Sequence, residues 1–499
     1  MKIIIPMTGK SKRFKEVGID IPKQFLEVSG KKIIDHVIDM FPGEKDINLI
    51  VSKEDIKNRN LKDHFESISK YKLTIIDHQI SGPGGAVLNS GLLETDEDII
   101  INYCDFSNIW NWGNFKKFVI TNKPDGIIPA YRGLHPHSVY KNDYAFLDVE
   151  GNKVINIKEK ESFTDNKMDE YASTGMYYFK SGNLAKKYIE KTFKLKKFIN
   201  NEIYISTTYE EMIKDGMNVY LYPIKYFFQW GTPEDYNEFI YNLNEIENIK
   251  LNKTIDLNKK INLLIPAAGE SSRFRKEGYK SSKIYLDLNG NSIINTIINS
   301  FENSLITNVL IQNKDFINNE INETANIKKV NLKTKSQAES AFILVDEINN
   351  NFPLLIHSSD CVLDKYTKVE FEEADVVVFT KNNYRRAFEN KQQYGWVNSN
   401  DGLIKSLSIK SDPLSKSSNV IIGTFLFKNK NIFKDLYLKT IKLNKHLSEI
   451  HVDHLVETAL KTGLIVQENV SEKSVMLGTP QEYELFQYMK HVFEYLQNK

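Results

Sequence analysis

One loop is written twice in this chain, and that repeat constrains the fold more than any other feature. Residues 3–27 and 263–287 each run from an apolar strand into a small-residue turn, then an Arg, then a Lys. Gly9, Arg13 and Lys23 recur as Gly269, Arg273 and Lys283, at one offset of 260 positions. A strand entering such a turn brings backbone N–H groups close to phosphate, and the nearby Arg and Lys supply countercharge. Two more motifs recur in the same order. Asp105 closes an apolar stretch that starts at Asp98, and Asp360 closes one that starts at Asn351. Gly231-Thr232-Pro233 is matched by Gly478-Thr479-Pro480. The offset shrinks slowly along the chain, as loop deletions would cause. Three ordered repeats mark an internal duplication.

A chain of 499 residues exceeds what one core supports, which agrees with at least two domains. Both halves alternate β-branched strands with amphipathic stretches, predicting α/β domains, each with a mainly parallel central sheet flanked by helices. Strands are expected at Ile3–Pro6, Ile47–Val51, Leu73–Ile76, Asp98–Asn102 and Gly126–Pro129. The second half repeats them at Asn262–Ile265, Asn308–Ile311, Lys328–Leu332, Pro353–His357 and Asp375–Phe379. Glu245–Lys260, rich in Asn, Lys and Glu, reads as the boundary. The expected division is therefore a domain at 1–245, a linker at 246–260 and a domain at 261–499.

Composition excludes several classes of function. A net charge of +1 gives no general footprint for nucleic acid or an anionic membrane. No apolar run approaches the length of a membrane span, and the N-terminal strand is too short for a signal-peptide core. Two cysteines make no disulfide framework and fit a reducing compartment, so a cytoplasmic protein is expected, with a homo-oligomer left open.

The motifs taken together resemble the nucleotidyltransferases of the sugar-phosphate pyrophosphorylase type. Within them the first half is similar to members of capsule or surface-polysaccharide biosynthesis, through Gly133-Leu134-His135-Pro136-His137 and Gln229-Trp230-Gly231-Thr232-Pro233. The resemblance covers both halves. It implies two tandem Rossmann-like domains of the glycosyltransferase-A kind. It also implies transfer of NMP from a nucleoside triphosphate to a sugar phosphate, polyol phosphate or similar phosphomonoester, with release of pyrophosphate. Arg13 and Lys23, with Arg273 and Lys283, are then the catalytic cations. Thr8, Gly9, Lys10 and Ser11, and in the second half Ala268, Gly269 and Ser271, are implied to hold the triphosphate. Gln79, Gly84, Gly85 and Gln337 are implied at the nucleobase, and Asp105 and Asp360 at Mg²⁺. On the acceptor side the resemblance implies Glu159, Lys160 and Gly175, and in the second half Lys410 and Gly423.

Some positions depart from that pattern. Many members carry an Asp two residues before the Gly-Thr-Pro glycine as a second metal ligand; here stand Gln229 and Met476. Ile409 replaces the acceptor-side Glu, and Ser282 replaces the Pro before Lys283. The second half is therefore the one expected to be altered or silent. His135 and His137 read as acceptor contacts more readily than as metal ligands, since no acid lies nearby. Trp110, Trp112, Phe227, Phe228 and Trp230 read as packing in preference to an aromatic box for a cation. A glycosyltransferase on the same fold is a rival, but it would want an Asp-x-Asp motif, and Tyr103-Cys104 and Ser358-Ser359 precede the two acids. A third reading makes the second half a nucleotide-binding or oligomerisation module.

Overall fold

The computed structural model describes the chain except residues 59–60, 69, 78–80, 134, 136–143, 252, 256–259, 302–304, 316, 318–319, 332, 349–350, 369–372, 389 and 499. It divides into two compact units, Met1–Asn242 with Gln487–Lys499, and Leu243–Phe486.

In the first unit the Lys2–Pro6 strand lies between Ile47–Ser52 and Ile99–Asn102, parallel to both. Both faces of this strand are covered, so Ile3, Ile4 and Ile5 are all buried and the sequence shows no alternation. Lys72–Ile76 extends the parallel set at the edge. On the other side Met176–Phe179 runs antiparallel to both Ile99–Asn102 and Gly126–Tyr131. Val219–Pro223, Lys153–Glu159, Ala145–Glu150 and Tyr171–Ser173 complete the sheet. Helices Gly82–Asn89, Gly182–Lys194 and Ile205–Lys214 cover it, and Ala86, Ala185, Tyr188 and Tyr209 meet Ile4, Ile101, Ile128 and Phe179 in one buried cluster.

The second unit repeats this strand order around Ile261–Ala267. One long strand, Asn419–Phe427, stands where the first unit has the pair Tyr171–Ser173 and Met176–Phe179. Each strand expected from the sequence is present, shifted by a few residues at its ends.

Two expectations need correction. The sheets are mixed, not mainly parallel: only the half built on the first four strands of each unit is parallel throughout. The antiparallel half comes from strands that return from far along the chain, Met176–Phe179 and Asn419–Phe427, and from tight hairpins. In one of them Asn400 pairs with Leu403 across Asp401-Gly402, both at positive φ, 50° and 74°. An Asp-Gly pair with this geometry is a strong hairpin signal that the βαβ reading passed over. The expected linker also begins as helix, because Pro233–Lys250 is continuous. Glu245, placed at the end of the first domain, belongs to the second unit, where it pairs with the buried Lys381 at 2.8 Å. Asn248 donates to the carbonyls of Leu363 and Lys473, which pins the same helix end. Gln487–Lys499, expected in the second domain, clusters with the first unit.

Candidate active site

The first strand of each unit delivers the chain to a turn and a short helix that set the positions of the cations. Ser11 and Ser271 both take left-handed backbone, φ 47° and 49°, ahead of helices Lys12–Glu16 and Ser272–Lys276. Each Ser then accepts a hydrogen bond from the backbone N–H of the Lys, at 3.2 Å for Lys23 and 3.1 Å for Lys283. The turn and the lysine are thereby locked together in both copies. Thr8 is buried, Gly9 and Lys10 are exposed, and a Cβ on Gly9 or Gly269 would meet nothing within 4 Å. These two glycines leave space on the open side of the turn. Ala268 is buried, and its carbonyl accepts from the Gln312 amide.

The lysines reach the acids at the ends of the fourth strands. Lys23 Nζ donates to Asp105 Oδ2, and Lys283 Nζ donates to Asp360 Oδ2. Burial pulls the Lys23 ammonium down, but Asp105 more than offsets this, so Lys23 sits above its ordinary value and stays charged. Burial likewise pushes Asp360 up, and Lys283 with Ser358 overrides it, leaving the carboxylate low. Behind each acid stands the Gly-Thr-Pro glycine. A Cβ on Gly231 would lie 3.0 Å from Asp105 Oδ2, and one on Gly478 3.2 Å from Asp360 Oδ2. The repeated glycine lets the carboxylate sit close against the backbone, where a Cβ would crowd it. Cys104 supplies no nucleophile here, since burial pushes its thiol up to about 12.

In the first unit Arg13, Lys23 and Asp105 line one cleft of about 230 Å³ together with Glu159, Lys160 and Gly175. Six residues from four separate stretches of sequence thus share one space. Lys160 Nζ donates to Tyr204 Oη at 3.0 Å, and Ser206 Oγ donates to Glu159 Oε2 at 2.5 Å. Gly175, at φ 93°, leaves room for the Tyr103 ring. In the second unit two clefts meet at Asp360, Ser358 and Gln337. One, of about 250 Å³, holds Gly269, Ser271 and Lys283. The other, of about 220 Å³, holds Arg273, Lys410 and Gly423. Gln337 bridges them, its Nε2 donating to the Gly423 carbonyl at 2.8 Å.

Several sequence expectations fall elsewhere. Gln79 and His137 lie outside the described residues. Gly84 and Gly85 are buried in helix Gly82–Asn89 and do not line the cleft. A Cβ on Gly84 would lie 2.9 Å from the Ile203 carbonyl, so close chain packing accounts for that glycine. His135 is buried against Tyr131 and Tyr488, and desolvation holds its ring down at about 4, which makes it part of the core. Trp112, Phe227, Phe228 and Trp230 are buried, and Trp110 packs edge-on to Phe41 and tilted against Trp112 and Phe115.

Other cleft residues escaped the sequence reading: Tyr103, Tyr144, Tyr204 and Asp235 in the first unit, and Tyr394, His451, Asp453 and Glu482 in the second. The repeat itself carried a signal for two of them, because Asp235 and Glu482 are spaced equally from their Gly-Thr-Pro motifs. Both acids are held there: Thr232 Oγ1 donates to Asp235 at 2.8 Å, and the Thr479 N–H donates to Glu482 at 2.9 Å. Among the described residues no group of three His, Cys, Asp or Glu could cage a metal. The donor set suits a hard cation that takes one carboxylate from the protein and its remaining oxygens from ligand phosphates and water. Among the described residues no helix is long and apolar enough to cross a membrane.

Comparison with known proteins bears on the first half most directly. Residues 2–245 match the model of the nucleotidyl transferase family. Among solved structures the chain is similar to a nucleoside-diphosphate-sugar pyrophosphorylase from Vibrio cholerae RC9, at 20% identity over 48% of this chain and 99% of that one, with a TM-score of 0.37. It is also similar to the inositol-1-phosphate CTP transferase from T. maritima, at 16% identity over 47% of this chain and 90% of that one, with a TM-score of 0.36. A comparison with curated proteins finds no match. On the family model that spans residues 2–245, the chain is an enzyme of the nucleotidyltransferase kind.

Proposed function

We propose that the chain transfers NMP from a nucleoside triphosphate to a sugar or polyol phosphate, for a surface-glycan precursor made in the cytoplasm. The observation that carries this reading is the convergence of Arg13, Lys23 and Asp105 on one cleft with Glu159, Lys160 and Gly175. An oxygen of the acceptor phosphate attacks the α-phosphorus, the α–β P–O bond breaks, and pyrophosphate leaves with the electron pair. Such a transfer asks the protein for position and for charge stabilisation more than for a nucleophile. Arg13 and the turn around Gly9 hold the triphosphate. Lys23, charged and hydrogen-bonded to Asp105, lies where negative charge accumulates on the α-phosphoryl oxygens. Lys160 meets the acceptor phosphate, and Glu159 takes acceptor hydroxyls. Mg²⁺, when bound by Asp105 and the phosphates, supplies further neutralisation of the polyphosphate charge.

The second unit carries the counterparts of all but Glu159, as Arg273, Lys283, Asp360, Lys410 and Gly423, and the meeting of its two clefts at Asp360 supports a tandem arrangement. The test is pyrophosphate release by the full chain, with each common triphosphate set against a panel of sugar and polyol phosphates. Release that requires both partners is expected. Sugar transfer from an NDP-sugar without pyrophosphate release would contradict the reading.

A further inference from the structure

The acceptor-side clefts of the two units correspond position for position, and their differences are coordinated. In the first unit Glu159 ends the Lys153–Glu159 strand, and Ser206 on helix Ile205–Lys214 donates to its carboxylate. In the second unit Ile409 ends the Leu403–Ile409 strand, and Asp453 holds the place of Ser206 as second residue of helix Val452–Lys461. The backbone frame around the exchange is the same in both. Lys160 and Lys410 follow their strands at φ 61° and 47°, and their N–H groups donate to the carbonyls of Tyr144 and Tyr394, at 2.8 and 3.0 Å. The residue after that tyrosine is Ala145 in the first unit and Gly395 in the second. A Cβ on Gly395 would stand 2.6 Å from Asp453 Oδ2. Three changes therefore fit together: an acid leaves the strand, an acid arrives on the helix packed against it, and a methyl group is removed to seat it.

We propose that Asp453 is the hydroxyl-reading carboxylate of a second working transfer site, and that this site takes a sugar or polyol phosphate. The inference rests on the nucleotidyl-transfer reading above and extends it to the unit whose sequence looks degraded. An ionised carboxylate only accepts hydrogen bonds, so in a cleft it selects hydroxyl donors, while Lys410 and Arg273 on the same cleft select phosphate. Burial raises the Asp453 carboxyl to about 6 against the pull of Lys410, which still leaves it ionised at neutral pH. His451 stands where the first unit has Tyr204, so the two sites present different polar groups to an acceptor and are built for different ones.

The test uses the full chain carrying Lys23→Ala, with pyrophosphate release followed for triphosphate and phosphomonoester pairs. Turnover of at least one pair is expected to persist. In that background Asp453→Asn and Asp453→Ser should each raise the acceptor KM about 10- to 100-fold, the scale of a lost charged hydrogen bond, and leave the triphosphate KM unchanged. The double change Ile409→Glu with Asp453→Ser, which rebuilds the first unit's arrangement, should recover most of that loss. Persisting turnover with an unchanged acceptor KM in both single variants would overturn the role of Asp453. Turnover in the unmodified chain that Lys23→Ala removes entirely would overturn the second site and leave the first standing. No pyrophosphate release from the unmodified chain with any pair would remove the underlying reading as well.

Discussion

The two units differ most where they would touch an acceptor and keep one Ser, Lys, Asp and Gly frame where they would touch a triphosphate, although Glu270 stands in the place of Lys10. Around the phosphates the copies match: a left-handed Ser holds the Lys backbone, the Lys holds the Asp, and a glycine gives the Asp its space. On the acceptor side Tyr103, Tyr204, Ser206 and Glu159 of the first unit correspond to Ser358, His451, Asp453 and Ile409 of the second, by their places on the equivalent strands and helices. A triphosphate presents the same charge whatever base it carries, so the Ser, Lys, Asp and Gly frame around it has little reason to change. An acceptor is recognised by its hydroxyls, and those groups can be re-read by moving a carboxylate from strand to helix. On the proposal above, duplication followed by change mostly at the acceptor end would give one chemistry with two selectivities.

The largest effect that separates the copies is loss of either lysine. Lys23→Ala should lower turnover at the first cleft by roughly 10²- to 10³-fold, the usual result of removing one contact to developing charge, and Lys283→Ala should do the same at the second. Pyrophosphate release over a matrix of substrate pairs reads both. A pair equally sensitive to both changes would break the picture of independent sites.

The metal comes next. Asp105→Asn should raise the Mg²⁺ concentration needed for half-maximal rate at the first cleft by about tenfold, since a hard cation loses its charged protein ligand. The second cleft, which keeps Asp360, should titrate as before. An unchanged Mg²⁺ curve for both would remove Asp105 from the metal site.

How much of this could be read in the sequence follows the same division. The phosphate end was legible because its residues are local and repeated: Gly9, Arg13 and Lys23 lie on one short stretch, and their copies have the same spacing. Asp105 was legible as the end of a buried strand. The acceptor end was only partly so. Tyr204 and Asp453, and the buried Ser206 that donates to Glu159, stand at the starts of helices that are amphipathic for ordinary packing reasons, and nothing local marks them as site residues. The mixed sheet was missed because apolar strands buried on both faces look alike whether parallel or antiparallel, and the short turns at Gly151-Asn152 and Asp401-Gly402 were the local clues. Gly84 misled for a complementary reason, because a glycine demanded by Ile203 looks the same in sequence as one demanded by a ligand.

A smaller effect sharpens the contrast through pH. Asp453 is held at about 6 by desolvation, with Lys410 opposing; Arg273, Tyr394, His451 and Glu482 line the same cleft, and Glu449 and His454 stand beside His451. Below that pH the carboxyl is neutral and loses most of its value as an acceptor. The acceptor KM of the second cleft should therefore climb by up to about tenfold per unit as pH falls below 6, and Asp453→Asn should flatten the profile.

The smallest effect is on stability. The Asp453 carboxyl titrates higher in the fold than its ordinary 3.8. The folded state therefore holds this proton more tightly, and the group favours folding in acid, a contribution lost as pH rises from about 4 through 6. Asp453→Asn should then raise Tm at pH 8 by about a few degrees while it weakens acceptor binding. A Tm that falls at pH 8 would say the side chain is there for the fold.

The central claim, transfer of a nucleotidyl group to a phosphomonoester, is tested most directly by following label. With triphosphate labelled at the α-phosphorus, the label should appear in a phosphatase-resistant diphosphate ester of the acceptor and be absent from the released pyrophosphate. Changing both Lys23 and Lys283 to Ala should abolish its formation. Label recovered only as free NMP, or a glycoside formed from an NDP-sugar with no pyrophosphate released, would contradict the account.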